Sequence, residues 1–97
     1  MKDPHANPPP LAEPVIVSEF WANRRGESIR VQLSEFKGRA LIDVRKYFTA
    51  KDGTLKPTKK GFAIAVARLP DLASGIGKAL SKARDLGLIG GEGRGHE

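Results

Sequence analysis

Residues 35–48 read EFKGRALIDVRKYF, and their alternation decides the fold. Ala40, Ile42 and Val44 fall on one side of an extended chain, and Arg39, Asp43, Arg45 and Tyr47 fall on the other, with Leu41 breaking the polar side. A period of two marks a strand with one apolar face. Upstream, ESIRVQLS (27–34) repeats the pattern: Ile29, Val31 and Leu33 oppose Ser28, Arg30, Gln32 and Ser34, and Glu35 to Gly38 form the corner. Before it, VIVSEFWA (15–22) is β-branched and aromatic and leads into the turn residues NRRG (23–26). After it, TAKDG (49–53) carries an Asp-Gly turn signal, a Lys-rich loop is expected to Lys60, and GFAIAVA (61–67) puts Phe62, Ile64 and Val66 on one side. Four short runs with brief connections predict an antiparallel meander.

One helix signal follows. Pro70 and Asp71 suit a first helical turn, since proline has no N–H to satisfy and a carboxylate favours the positive end of the dipole. Leu69, Leu72, Ala73, Ile76, Ala79, Leu80 and Ala83 recur at helical spacing, and Gly87 is a stop signal. Such a helix can cover the apolar face of a four-stranded sheet and leave Arg30, Arg39 and Arg45 in solvent. The expected class is α+β, four antiparallel strands and then one helix. Gly75 and Gly77 weaken this helix by roughly 1 kcal/mol each relative to alanine. They are either tolerated or allow close approach of another backbone.

The 97 residues allow a single small domain, for which self-association would add stability. Residues 1–14 hold five of the seven prolines and are expected to be a disordered tail; the domain spans 15–89, and 90–97 form a Gly-rich tail. Without cysteine there is no disulfide or thiolate site. No run approaches the roughly 20 apolar residues of a membrane span, and the N-terminus lacks a signal peptide, so a soluble intracellular protein is expected. The net charge of +6 is uneven. Residues 24–60 carry eleven Lys/Arg against four Asp/Glu, residues 1–23 one against three, and residues 61–97 five against four. The excess therefore sits in the middle third, where it attracts polyanions.

Catalysis is hard to assemble from these residues. His5 and His96 lie in the tails, no metal-ligand spacing exists, and SGIGKA (74–79) lacks the spacing of a phosphate loop and falls inside the helical stripe. Glu19 and Asp43 fit structural salt bridges better than acid–base work. The chain is expected not to be an enzyme and to need no cofactor or metal. Binding is easier to build. Lys37, Arg39, Arg45, Lys56, Lys59 and Lys60 interleave with Phe36, Tyr47 and Phe48. Single-stranded nucleic acid needs cations for phosphates and flat rings for unstacked bases. The bland reading is a solvated basic face with core phenylalanines. Phe48 shares the phase of Ala40, Ile42 and Val44, which places it inside unless the strand end twists.

The stretch VQLSEFKGRALIDVRKYFTAKDGTLKPTKKG resembles the single-stranded-DNA-binding domain of the transcriptional coactivator positive cofactor 4 family. Phe-Lys-Gly-Lys/Arg, a Leu-Ile-Asp-Ile/Val-Arg strand ending in aromatics, and Lys-Pro-x-x-Lys-Gly follow in the family's order from Phe36 to Gly61. A weaker likeness runs over residues 15 to about 86. The resemblance implies a curved four-stranded antiparallel sheet, a C-terminal helix, and a homodimer joined largely through helices, here through Leu72, Ile76 and Leu80. It implies nucleic-acid contact at Phe36, Lys37, Arg39, Arg45, Phe48, Lys56, Lys59 and Lys60. Arg39 stands for a frequent lysine and Phe48 for a frequent tryptophan. Near Glu27 and Ile29 the family is often basic, and Arg30 substitutes in part.

The implied function is sequence-independent single-stranded DNA binding in transcription regulation or genome maintenance, with RNA or melted duplex as variant ligands and the transcription machinery as a further partner. The alternative is a module whose basic face docks on an acidic protein. The short Pro-rich tail replaces the long regulatory arm of eukaryotic members. A bacterial-type protein in the cytoplasm and nucleoid is thus expected, or a nuclear one in a eukaryotic host.

Overall fold

Strand β2 (Glu27–Phe36) and strand β3 (Arg39–Thr49) pair without interruption from Glu27↔Phe48 to Phe36↔Arg39. Only Lys37 and Gly38 separate them, both at positive φ (53° and 79°), the pattern of a two-residue hairpin turn whose twist matches the strands it joins. Gly38 donates its N–H to Glu35 Oε2 at 3.0 Å, which ties the turn to the strand before it. In the computed structural model, which describes Leu11 and residues 13–90, β1 (Val15–Trp21) and β4 (Leu55–Ala65) flank this hairpin. The sheet is open and antiparallel, with the order β1-β2-β3-β4. The meander read from the alternation is the observed topology. The tail assignments at 1–14 and 90–97 lie mostly outside the described residues.

Register sorts the side chains. Leu33, Ile42 and Ile64 form one row across three strands, and Val31, Val44 and Phe62 form the next on the same face. The opposite face carries the rows Trp21–Ser28–Tyr47–Pro57, Glu19–Arg30–Arg45–Gly61 and Ile16–Gln32–Asp43–Ala63, and ends at Phe36–Arg39. The apolar assignment to one face therefore holds, but its burial does not. Ile42 alone among these residues is buried, and Phe62 is 42% exposed. The other buried residues, Ser28 and Tyr47, sit on the polar face. Tyr47 was expected outward in solvent; instead the Arg30 guanidinium lies 4.0 Å from its ring centroid and covers it. A chain this short has too little surface to enclose both sides of a sheet.

The fourth strand departs most from expectation. It begins at Leu55, six residues before the expected start at Gly61, so the Lys-rich "loop" is strand. Between the pairs Arg45↔Gly61 and Tyr47↔Pro57 the register shifts, and Lys46 on β3 faces Thr58, Lys59 and Lys60 on β4. This bulge interrupts the alternation that identifies a strand in sequence. Thr58 holds it: its hydroxyl donates to the Lys46 carbonyl at 2.7 Å and accepts from the Lys60 N–H at 3.0 Å. Pro57 is tolerated because β4 is an edge strand. Val66 and Ala67, expected as the last residues of the strand, instead begin a one-turn 3₁₀ helix (Val66–Arg68).

Helix α1 (Leu69–Asp85) starts and stops as read. Proline occupies its first turn with Asp71, and Arg68 pairs with Asp71 at 2.9 Å. At its end, Gly87 (φ 75°) donates to the Arg84 carbonyl and Leu88 to the Ala83 carbonyl, the paired bonds of a glycine-terminated helix. SGIGKA is helical, as expected of its place in the stripe. The sheet and the helix belong to separate compact units, divided after Val66. No residue of α1 is buried, and Ile76 and Leu80 are 59% and 44% exposed.

Candidate nucleic-acid interface

The hairpin tip gathers three of the expected residues. Phe36 is 61% exposed, Arg39 pairs with it across the turn, and Lys37 projects from the apex with its Nζ 5.3 Å from the Phe36 ring centroid. Neither Lys37 nor Arg39 makes an ion pair among the described residues. An exposed ring beside two cations offers a stacking surface for an unstacked base and charge for its phosphate.

The middle of the polar face is arranged differently. Arg30 and Arg45 are cross-strand neighbours, an unfavourable pairing of like charges unless each is compensated. Each is. Glu19 accepts from Arg30 Nε at 3.0 Å, and Asp43 accepts from Arg45 Nε at 3.2 Å and lies 3.1 Å from its Nη2. Arg45 Nη1 also donates to the Thr58 carbonyl at 3.1 Å, joining β3 to the bulge. The acidic residues thus sit in salt bridges, as the sequence suggested. Both arginines are less accessible than a solvated basic face would make them, with side-chain exposures of 19% and 24%.

Lys59 and Lys60 are exposed on the bulge beside Arg45. Phe48 is 40% exposed and pairs with Lys56 at the far end of β3. Its phase, shared with Ile42 and Val44, sets that pair on the apolar side of the sheet, away from Phe36 and Arg39. The fold therefore brings Arg30, Phe36, Lys37, Arg39 and Arg45 to one face or its rim, while Lys59 and Lys60 lie on the edge strand, Lys60 beside Ile29, Val44 and Phe62 of the apolar side. Phe48 and Lys56 lie together on the other side.

Near the β1–β2 turn, Glu27 neutralises two further cations. Its carboxylate accepts from Asn23 Nδ2 at 2.7 Å and from Arg25 at 3.2 Å, and Lys46 Nζ lies at 3.4 Å. These contacts, the Asn23 hydrogen bond first, hold its pKa below the ordinary glutamate value. Asp52 is likewise held low by the backbone N–H and hydroxyl of Thr54, which fix the β3–β4 turn. Among the described residues no cluster of acidic or histidine side chains is fit to hold a metal, and no helix is long and apolar enough to cross a membrane.

Two residues that sequence reasoning left in a plain strand and turn also come forward. Trp21, 64% exposed, is on the polar face by its pairing with Ser28, and Arg24 beside it makes no ion pair among the described residues. A lone tryptophan three residues before an Arg-Arg pair is the signal that could have marked them.

Comparison with known proteins gives concordant results. The model of the family described as Transcriptional Coactivator p15 (PC4) matches residues 23–74. A crystal structure of BPSL1147, a PC4 homolog from Burkholderia pseudomallei, superposes with a TM-score of 0.62 at 23% identity, covering 71% of this chain and 92% of that one. The bacteriophage T5 homolog of the eukaryotic transcription coactivator PC4, implicated in recombination-dependent DNA replication, superposes with a TM-score of 0.55 at 23% identity. It covers 69% of this chain and 80% of its own. At this identity the two structures establish the shared fold.

Proposed function

Since the chain belongs to the Transcriptional Coactivator p15 (PC4) family, we propose that it binds single-stranded DNA without sequence preference, as a homodimer, in transcription regulation or genome maintenance. The observation that carries this reading is the hairpin tip, where an exposed phenyl ring meets two cations that form no ion pair among the described residues. Lys59 and Lys60 add two exposed cations on the edge strand β4. Among the described residues no helix carries a cluster of Arg, Asn or Gln suited to a major groove, which favours a single strand over duplex. A DNA-associated location follows, in the nucleoid or nucleus according to host, and no catalytic step is involved.

Titration of a labelled oligo-dT at several salt concentrations tests this. Log K is expected to fall by about 0.7 for each phosphate neutralised, per tenfold rise in salt. The double variant Arg39→Ala/Lys60→Ala is expected to weaken binding and to make that slope shallower by about 1.4, with an unchanged thermal melt because both side chains are exposed. Duplex of the same length binding equally or more tightly would reject the single-strand preference, and oligo-U binding more tightly than oligo-dT would assign the site to RNA.

The homodimer is supported by what one chain leaves open. Ile42 and Tyr47 are the whole buried apolar core among the described residues, while Ile76 and Leu80 stand exposed on the helical stripe and Leu72 is half-buried. Light scattering is expected to give twice the chain mass of 10.5 kDa, and Ile76→Asp/Leu80→Asp to return it to a single chain. Wild-type protein scattering as a monomer at micromolar concentration would remove the dimer from the proposal.

A further inference from the structure

We propose that Trp21 and Arg24 form a second base-stacking station on the same single-stranded DNA track, at the opposite end of the polar face from Phe36. The inference rests on the single-stranded-DNA reading above and specifies where the strand travels. Trp21 pairs with Ser28, which shares its row with Tyr47, and the same face ends at Phe36–Arg39. Ser28 and Phe36 are eight residues apart on β2, a separation of roughly 27 Å at the usual strand rise. Two exposed rings therefore bracket one face along its strand direction.

The surroundings of Trp21 are built rather than loose. Trp21, Asn23, Arg24 and Gly26 line an open depression of about 430 Å³. Its backbone is pinned from two sides. Asn23 Oδ1 accepts the Arg25 N–H at 2.8 Å, while Thr49 donates both its N–H (3.0 Å) and its hydroxyl (2.8 Å) to the Gly26 carbonyl. Gly26 has φ 84°, and a side chain there would press on Thr49 Oγ1 at 3.1 Å. Of the two arginines in the turn, Arg25 is occupied by Glu27 and Arg24 is exposed without an ion pair among the described residues. An indole face beside an uncompensated guanidinium suits a base and its phosphate, the same chemistry as the tip.

Trp21 is the chain's only tryptophan, so its emission reports on this station alone. The full chain is titrated with labelled oligo-dT while indole emission and label anisotropy are followed together. The expected result is quenching that saturates along the anisotropy isotherm. Trp21→Ala is expected to weaken binding roughly 5- to 150-fold, the range carried by one base–ring stack, and Trp21→Phe to keep most of the affinity. Arg24→Ala is expected to weaken binding and make the salt slope shallower by about 0.7; it also decides the matter should Trp21→Ala not fold.

Anisotropy that rises while indole emission stays flat would place Trp21 off the track and overturn this inference, leaving DNA binding at the tip intact. Emission that changes on diluting the protein without DNA would put the ring between copies of the chain and overturn it as well. A flat anisotropy would instead reject the single-stranded-DNA reading itself, and the second station with it.

Discussion

Gly61→Ala is expected to destabilise the sheet unit by roughly 2–5 kcal/mol. A Cβ at position 61 would lie 2.4 Å from the Val44 carbonyl oxygen and 2.6 Å from Arg45 Cα, both backbone atoms of the neighbouring strand that cannot swing aside. Relieving such contacts costs about 1–3 kcal/mol. The φ of 150° adds strain of about the same size for any residue with a side chain. Small domains have total stabilities near 5–15 kcal/mol, and each kcal/mol moves the melting temperature of a domain this size by about 4–8 °C. A calorimetric scan should therefore show a midpoint lower by at least about 8 °C, or no transition at all. A midpoint within about 2 °C of wild type, less than 1 kcal/mol would produce, would mean that β4 does not approach β3 so closely at the bulge. Gly61 also closes the segment bearing Lys59 and Lys60, so the damage extends to the cationic edge.

The second large effect is on binding. Phe36→Ala is expected to weaken oligo-dT binding roughly 5- to 150-fold while leaving the melt unchanged. Phe36 is 61% exposed, so its removal opens no cavity. Lys37 Nζ sits over one side of the ring, which leaves the other side for a base. Phe36→Tyr, which preserves the ring, is expected to bind within a few-fold of wild type. Affinity unchanged in Phe36→Ala would show that cations alone hold the ligand and would favour the rival reading, a basic face docked on an acidic protein. The ring and the cations are separable in this way because each is exposed and neither supports the fold.

Much of this architecture was legible in the sequence because local chemistry and global pattern agree. The alternation in β2 and β3, the Lys37–Gly38 corner, the proline at the start of α1 and Gly87 at its end each specify one local geometry. The start of β4 was not legible, because three residues facing Lys46 erase the period of two where the lysines lie. Register depends on pairing partners, so the side taken by Trp21 could not be read from β1, whose own register slips between Ile16 and Ser18. The site divided in a similar way. Residue type and spacing found the tip, but whether an arginine is unpaired depends on which carboxylate folding sets beside it. Arg30 and Arg45 met Glu19 and Asp43, whereas Arg24 and Arg39 met none among the described residues.

The strand order also governs how the chain acquires this shape. Every pairing joins strands adjacent in sequence, across connections of five, two and five residues. Closing such short loops sacrifices little chain entropy, and a low mean sequence separation between contacts goes with rapid folding. The sheet can thus zip outward from the Phe36–Arg39 hairpin without waiting for a distant segment. In a chain that pairs with a second copy, the encounter of the two becomes the slow event, and the approach to full stability quickens as protein concentration rises.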